Sequence, residues 1–200
     1  MMTLPADFDA ARQWLGHRLD TKRVAVSGDL HTEGEATPAA VLVPIIMHTS
    51  GATVLFTKRT EHLAKHAGQI SFPGGRMEHG ETAEAAALRE TEEEVGLLPG
   101  FVTTVGRLAQ YVTVTHYRVT PVVALVQPGF TLALQRDEVA EAFEVPLPFL
   151  LDPQNIRERE LVLPERRVIT RVIEWDGRVI WGATAGMVHT LYRTLSDDAV

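Results

Sequence analysis

Residues 75–97 read GRMEHGETAEAAALRETEEEVGL, a glycine-bearing loop followed by a helix-forming segment that ends in a cluster of glutamates. Glu90, Glu93 and Glu94 stand at positions i, i+3 and i+4, so a helix places their carboxylates on one face. Like charges held that close repel one another. Mg²⁺ in proteins is bound by a few carboxylates together with phosphate oxygens and water. The segment therefore predicts a site for divalent metal and a phosphorylated ligand.

The composition is that of an ordinary globular protein. The chain has 200 residues, of which 45% are hydrophobic and 22% are charged, and this length favours one domain with some decoration. A net charge of -7 argues against a nucleic-acid or membrane-surface partner, because such binders need a basic surface. The absence of cysteine excludes disulfides and thiolate metal sites.

The sequence shows no targeting segment. Its N-terminus lacks the charged and apolar regions of a signal peptide. The longest apolar runs, such as residues 39–47, are too short to cross a bilayer. We therefore expect a cytoplasmic protein without a membrane partner.

The spacing of apolar residues predicts a mixed sheet with helices on its faces. We expect helices at 5–20, 82–95 and 183–195, strands at 39–48, 52–58, 69–72, 101–112 and 118–127, a strand and a short helix within 138–151, and a hairpin within 158–182 that turns at Asp176-Gly177. The polar stretch 27–38 indicates a loop or linker. We expect an N-terminal helical extension, residues 1–30, and one main domain, residues 31–200.

The glutamate segment also resembles the signature of the Nudix hydrolases, G-x5-E-x7-R-E-U-x-E-E-x-G-U, in which U is aliphatic. The fixed positions and the final U are filled by Gly75, Glu81, Arg89, Glu90, Glu93, Glu94, Gly96 and Leu97. The one departure is Thr91 at the first U, where a β-branched side chain can pack. The resemblance implies an α/β/α sandwich with a mixed β-sheet. It also implies hydrolysis of a nucleoside diphosphate linked to some other group.

The resemblance further implies a metal site that holds Mg²⁺ or Mn²⁺. Glu90 and Glu94 are expected to share the metal, and the backbone carbonyl of Gly75 to complete its shell. Glu93 is expected either to ligate metal or to deprotonate the attacking water. Arg89 is expected to pair with Glu93 and orient it. Glu90, Glu93 and Arg89 thus form the predicted catalytic set.

Two further motif residues are expected to have structural roles. Glu81 resembles the buried structural carboxylate of the family and stands near the helix start, where the helix dipole favours it. Gly96 is expected to end the helix in the left-handed conformation. Glu92 falls on the far face of the helix, where a solvated surface charge is expected.

The segment before the helix suggests a substrate. Residues 55–75, LFTKRTEHLAKHAGQISFPGG, resemble the segment that marks coenzyme A diphosphatases within the family, and residues 180–186, IWGATAG, are similar to the C-terminal segment of that group. Such enzymes cut coenzyme A into 3′,5′-ADP and 4′-phosphopantetheine. The resemblance therefore implies a small nucleotide substrate.

The same segment supplies the candidate substrate-binding residues, which are Arg59, Lys58, His66 and Gly74. One residue departs from the pattern of the coenzyme A group, which has an arginine four residues before Gly68. This chain has Ala64 there, and alanine cannot grip a phosphate with two hydrogen bonds.

Three functions stay open at this point. The first is a coenzyme A diphosphatase, the second a Nudix hydrolase for ADP-ribose, an ADP-sugar or an oxidised nucleotide, and the third a non-catalytic nucleotide-binding sensor. Glu138 and Glu141 are both candidates for an additional metal ligand or base. A homodimer also stays open, as does the role of the N-terminal helix.

Overall fold

A computed structural model of the chain describes residues 3–21, 27–28, 36–61, 68–163 and 166–196. Its helices and strands are α1 (Phe8–Thr21), β1 (Ser27–Gly28), β2 (Thr37–His48), β3 (Gly51–Arg59), β4 (Ile70–Ser71), β5 (Gly74–Arg76), α2 (Ala83–Val95), β6 (Val102–Arg107), β7 (Tyr111–Val112), β8 (Tyr117–Val126), β9 (Val139–Pro146), α3 (Leu147–Leu150), β10 (Arg157–Leu163), β11 (Arg166–Trp175), β12 (Arg178–Trp181) and α4 (Ala183–Leu195). No helix in these ranges is long and apolar enough to span a bilayer.

Most of the described strands form one mixed sheet. Its main order is β1-β7-β8-β2-β3-β4, while β5 pairs with β2, β6 with β8 and β9 with β3. The central strands β2 and β8 run parallel, from Thr37 opposite Tyr117 to Ile46 opposite Val126, and both are buried for most of their length. The strands β10, β11 and β12 form a second, antiparallel sheet.

Helix α2 covers one face of the mixed sheet. Its alanines Ala83, Ala86 and Ala87 pack against Ala40 and Leu42 of β2. Residues this small let the helix axis approach the sheet closely, which fixes the height of the glutamates above the strands. The helix that carries the motif is therefore positioned by its alanine face.

Helices α1 and α4 cover the other face. Leu15 of α1 and Leu191 and Leu195 of α4 are fully buried in the largest core cluster. Burying a leucine stabilises a fold by about 2 kcal/mol, so α1 is bound to the same core as the sheet. The two helical layers with the mixed sheet between them confirm the predicted α/β/α sandwich.

Two predicted elements differ from the structure. The strand expected at 101–112 is two strands, because the N–H of Leu108 bonds to the carbonyl of Pro121 at 2.9 Å and proline has no N–H to continue the ladder. The hairpin expected within 158–182 is a three-stranded sheet. Its second turn lies at Asp176-Gly177 as predicted, with Trp175 opposite Arg178, and β10 adds a first hairpin.

The stretch predicted as a loop at 27–38 holds strand residues at both ends. Thr37 already belongs to β2, and Gly28 pairs in parallel with Val112. A Cβ at Gly28 would lie 2.6 Å from the carbonyl oxygen of Val112. This close backbone approach requires glycine, and a two-residue strand is too short for a periodic signal in sequence.

Candidate active site

Local contacts fix both ends of α2. The side chain of Thr82 accepts a hydrogen bond from the N–H of Ala85 at 3.2 Å and so caps the first turn. At the other end Gly96 has φ 70, the left-handed conformation that was expected, and its N–H bonds to the carbonyl of Glu92 at 2.8 Å. A Cβ at Gly96 would also lie 2.9 Å from the Cβ of Ala133. Glycine is therefore required there by conformation and by space.

Thr91 fits the buried position at which the family pattern has an aliphatic residue. The residue is 1% exposed, and its hydroxyl donates to the carbonyl of Ala87 at 2.6 Å. The bond removes the cost of burying a free hydroxyl, which is of the order of 1–3 kcal/mol. Glu92, one residue further on, is exposed, as expected for a surface charge.

Arg89 binds the acidic residues around it. Its Nε and Nη2 donate to the two carboxylate oxygens of Glu81 at 3.0 and 3.1 Å. Its Nη1 donates to Glu90 at 2.9 Å and to Glu93 at 3.3 Å. The hydrogen bonding of Arg89 to Glu81 is the main cause of the lowered pKa of the Glu81 carboxyl. Arg89 thus holds Glu93, as predicted, but its two-pronged bond goes to Glu81.

Glu94 is the buried member of the cluster. The residue is 5% exposed, and its carboxylate accepts the N–H of Gly74 at 3.2 Å. Loss of hydration raises its pKa to about 7, and the charges of Glu90 and Glu138 add to the rise. The Nη1 of Arg59 lies 3.8 Å away, which compensates only in part. A cation next to Glu94 would therefore be strongly favoured.

Gly75 makes room for the carboxylate of Glu90. A Cβ built at Gly75 would lie 2.5 Å from Cδ and 2.7 Å from Oε1 of Glu90. The residue pairs with Ala40 in the sheet, so its backbone cannot move aside without breaking the ladder. The carboxylate of Glu90 therefore lies against bare backbone.

These donors fit a divalent metal ion. Glu90 and Glu94, one helical turn apart, would supply hard oxygen ligands of the kind that Mg²⁺ and Mn²⁺ prefer, and the carbonyl of Gly75 would add another. In the described part of the chain no three acidic or histidine side chains gather around one point, and Arg89 bonds to both Glu90 and Glu93. A bound cation would compete with Arg89 for these carboxylates.

The predicted substrate-binding residues differ in where they lie. Arg59 ends β3 beside Glu94, and its Nε is buried and bonds to no group among the described residues. Lys58 lies on the opposite face of the strand, the same face as Phe56. The core cluster that contains Phe56 includes no residue of α2. Gly74 contributes its backbone N–H to Glu94. His66, like Ala64, lies outside the described residues.

The structure distinguishes between the two additional acidic candidates. Glu138 is exposed and close enough to raise the pKa of Glu94, and its carbonyl accepts the N–H of Thr60 at 3.0 Å. Glu141 instead binds Arg178, whose Nη2 lies 2.5 Å from its carboxylate. Of these two candidates, Glu138 is the one whose charge acts on Glu94, and no periodic signal in the sequence marks it.

The segment that carries Glu138 is bonded to helix α2. The N–H of Ala133 bonds to the carbonyl of Val95 at 2.8 Å, and that of Gln135 to the carbonyl of Glu94 at 2.9 Å. These bonds satisfy carbonyls that the end of a helix leaves open. They also tie Glu138 to the position of the helix.

Comparison with known proteins identifies the family. A family model described as the NUDIX domain matches residues 36–171. The chain belongs to the Nudix hydrolase family. A protein of Escherichia coli O7:K1 called uncharacterized Nudix hydrolase NudL is 41% identical over 156 residues, which span 76% of this chain and 80% of that protein. The Escherichia fergusonii protein of the same name matches at the same 41% over the same shares.

A solved structure has a similar fold. The crystal structure of DR0079 from Deinococcus radiodurans superposes with a TM-score of 0.52 at 15% identity, over 86% of this chain and 99% of that one. At this identity the likeness concerns the fold alone. Membership of the family makes the protein an enzyme that acts on pyrophosphate bonds, and Nudix hydrolases generally use divalent metal ions.

Replacement of Gly75 by alanine tests whether Glu90 binds a metal ion in this Nudix domain. We expect Gly75→Ala to weaken Mn²⁺ binding by at least about tenfold, because the new methyl group displaces the carboxylate of Glu90. The free energy of unfolding should change by less than about 1 kcal/mol, because a flexible side-chain end absorbs the clash. Titration of free Mn²⁺ by electron paramagnetic resonance measures the affinity.

Gly100→Ala is the matched control, because no atom lies within 4 Å of a Cβ at Gly100. Unchanged Mn²⁺ affinity in Gly75→Ala would show that Glu90 does not bind metal from its position against Gly75.

Proposed function

We propose that this Nudix hydrolase cleaves the diphosphate of coenzyme A with Mg²⁺ or Mn²⁺, releasing 3′,5′-ADP and 4′-phosphopantetheine. The observation that carries the hydrolytic site is the buried Glu94, which lies one turn from Glu90 and beside Arg59. The choice of coenzyme A is supported by the likeness of residues 55–75 and 180–186 to the coenzyme A group. Ala64 departs from that group and favours the second candidate, hydrolysis of another nucleoside diphosphate compound such as ADP-ribose.

The buried and the exposed carboxylates of the cluster would have different roles in the reaction. Glu90, Glu94 and the carbonyl of Gly75 would hold the divalent ion, which when bound neutralises phosphate charge and acidifies water. Glu93 is 61% exposed on its side chain and is oriented by Arg89 at 3.3 Å, so it can reach solvent water. We assign it the removal of a proton from the attacking water.

Glu138 is the additional acidic residue that we include in the site. Its charge contributes to the raised pKa of Glu94, whereas the side chain of Glu93 is 61% exposed to solvent. Its carboxylate is exposed and can bind a second cation or orient a water. Glu141 is left out, because Arg178 already neutralises it.

Arg59 is the residue we assign to the substrate phosphates. A guanidinium presents Nε and Nη in one plane and can hold a phosphate through two parallel bonds. The Nε of Arg59 bonds to no described group, and an unpaired buried donor costs of the order of 1–3 kcal/mol. A phosphate oxygen would satisfy this donor.

Replacement of Arg59 separates binding from chemistry. We expect Arg59→Gln to raise the KM for the diphosphate substrate by about 10- to 100-fold, because a charge-assisted bond contributes about 1.5–3 kcal/mol. Lys58→Gln is the matched control, since this substitution removes the same charge from the other face of the strand. The KM of this variant should stay near that of the wild type. Steady-state kinetics measures both constants. Equal effects of the two variants would contradict the assignment.

A substrate comparison tests the choice of coenzyme A. The protein is incubated with Mg²⁺ and either coenzyme A or ADP-ribose, and the products are identified by mass spectrometry. The proposal expects 3′,5′-ADP from coenzyme A at a much higher kcat/KM than AMP from ADP-ribose. Turnover of ADP-ribose alone would replace the proposal by the second candidate. Tight binding without turnover of coenzyme A, ADP-ribose or any other diphosphate, with either Mg²⁺ or Mn²⁺, would favour a nucleotide sensor.

A further inference from the structure

Thr60 is a buried polar residue between two parts of the site. It follows Arg59 directly in the chain and is 6% exposed. Its N–H donates to the carbonyl of Glu138 at 3.0 Å, and its side-chain hydroxyl donates to the carbonyl of Asp137 at 3.1 Å. Thr60 therefore binds two consecutive carbonyls of a segment that is distant in the sequence.

The strand end that carries Thr60 is itself held in place. The N–H of Arg59 bonds to the carbonyl of Gln69 at 3.0 Å, and the N–H of Gly68 bonds to the carbonyl of Thr60 at 3.4 Å. These bonds join the end of β3 to the residues that lead into β4. Because both backbone polar groups of Thr60 are bonded, the hydroxyl reaches the carbonyl of Asp137 from a restrained position.

The segment that Thr60 binds is a turn, residues 135–138, between helix α2 and strand β9. Its first residue is anchored to the helix, because the N–H of Gln135 bonds to the carbonyl of Glu94 at 2.9 Å. The turn closes through the N–H of Glu138, which bonds to the carbonyl of Gln135 at 3.0 Å. Its far end is bonded to Thr60. The turn therefore joins the end of the motif helix to the end of β3.

The pairing of β3 with β9 is interrupted next to this turn. Lys58 of β3 lies opposite Glu141 of β9, but the following residue of β3 lies opposite Val139. Ala140 is therefore an extra residue on β9, a β-bulge, and a bulge disrupts the ladder locally. The bonds of Thr60 lie just beyond the bulge, where the hydroxyl adds a contact that the ladder does not supply.

Glu138 is the residue of the turn whose position bears on the reaction. Its charge contributes to the raised pKa of Glu94, so the two carboxylates lie near each other. Glu138 is exposed, so its placement depends on the backbone of the turn more than on packing of its side chain. Groups that hold a metal ligand or a water in place through hydrogen bonds contribute to metal affinity and activity.

We propose that Thr60 is a positioning residue for the reaction, because its hydroxyl holds the turn at Asp137 and so keeps Glu138 in place relative to Glu94. Thr60 acts through the backbone of the turn and is not assigned to bind substrate or metal. The inference rests on the proposed role of Glu138 in the site. It does not depend on the choice of coenzyme A, since any diphosphate substrate would meet the same turn.

Replacement of Thr60 by valine removes the hydroxyl and keeps the shape of the side chain. We expect Thr60→Val to lower kcat by about tenfold and to raise the Mg²⁺ concentration at half-maximal rate, because loss of a group that orients a metal ligand typically costs about 10- to 100-fold. Thr60→Ser keeps the hydroxyl and should restore both values to within about twofold of the wild type. Steady-state rates with coenzyme A measure them, or with ADP-ribose if that compound alone is turned over.

Thr194→Val is the matched control for loss of a buried hydroxyl. Thr194 is 3% exposed, and its hydroxyl donates to the carbonyl of Thr190 at 2.8 Å within α4, on the other face of the sheet. This variant should keep the kcat and the Mg²⁺ dependence of the wild type.

A double-mutant cycle tests whether Thr60 acts through Glu138. We expect Glu138→Gln to lower kcat at least as much as Thr60→Val does, and the double variant Thr60→Val/Glu138→Gln to lie within about twofold of Glu138→Gln. Hydrogen exchange at the amide of Glu138, which closes the turn, should be faster in Thr60→Val than in the wild type and in Thr194→Val.

The proposal would be overturned by an equal loss from Thr60→Val with and without Glu138, by a Thr60→Ser variant as impaired as Thr60→Val, or by unchanged kcat or unchanged exchange in Thr60→Val. Full activity of Glu138→Gln would also overturn it and would remove Glu138 from the site. Failure of the coenzyme A assignment alone has a different result, because the same cycle would then be observed with ADP-ribose as the substrate.

Discussion

Replacement of Glu94 by glutamine is expected to lower kcat for diphosphate hydrolysis by at least about 100-fold. Removing a residue that only hydrogen-bonds to a metal ligand usually costs about 10- to 100-fold, and the loss of a ligand itself should cost more. Glutamine keeps the size of the side chain and one oxygen, but removes the negative charge that a cation would neutralise. Glu94 is 5% exposed, so bulk solvent cannot compensate for the lost charge. Initial rates at saturating Mg²⁺ and substrate measure the loss.

Glu92→Gln is the control for this result. It removes the same charge from the same helix, but Glu92 is exposed and should leave kcat within about twofold of the wild type. If Glu94→Gln kept full activity at every Mg²⁺ concentration, the assignment of Glu94 as metal ligand would be wrong.

The second large effect concerns the stability of the metal-free protein. Burial raises the pKa of Glu94 to about 7 from the ordinary value of 4.5, so between these values the folded state binds a proton that the unfolded chain has released. Stability from this group is therefore full below about pH 4.5 and is lost as pH rises through about 7. The loss amounts to about 3 kcal/mol.

Urea unfolding in EDTA at about pH 5 and pH 8 measures this change. Other groups also titrate, so the informative quantity is the difference between the wild type and Glu94→Gln. The variant should lack the loss, and should be the more stable protein at pH 8. Addition of Mg²⁺ should restore the wild type at pH 8 and leave the variant unchanged. If the free energies of unfolding of the two proteins changed by the same amount between these pH values, ionisation of Glu94 would not be what destabilises the wild type at pH 8.

The elements in which apolar residues recur with a clear helix or strand period could be predicted from the sequence. The motif helix and the strands β2, β3 and β8 are long, apolar on the expected side and bounded by turn residues, and the structure has them. Strand β1 and the break between β6 and β7 depend instead on single contacts, the close approach of Gly28 and the missing N–H of Pro121. Such contacts leave no periodic signal.

The site was predictable to the extent that one helix carries it. The helical period places Glu90 and Glu94 on one face and Glu92 away from it. It does not reveal that Arg89 reaches back to Glu81, because Glu81 precedes the helix and the pair meets through the path of the loop. Nor does it distinguish Glu138 from Glu141, since pairing of Glu141 with Arg178 depends on how the second sheet packs on β9.

The most direct test of the central claim is the metal dependence of coenzyme A cleavage by the wild-type protein. After treatment with EDTA the protein should release no product, and added Mg²⁺ should restore turnover to equal amounts of 3′,5′-ADP and 4′-phosphopantetheine, separated by chromatography and identified by mass. Turnover that persists without divalent metal, or cleavage at a bond other than the diphosphate, would contradict the account.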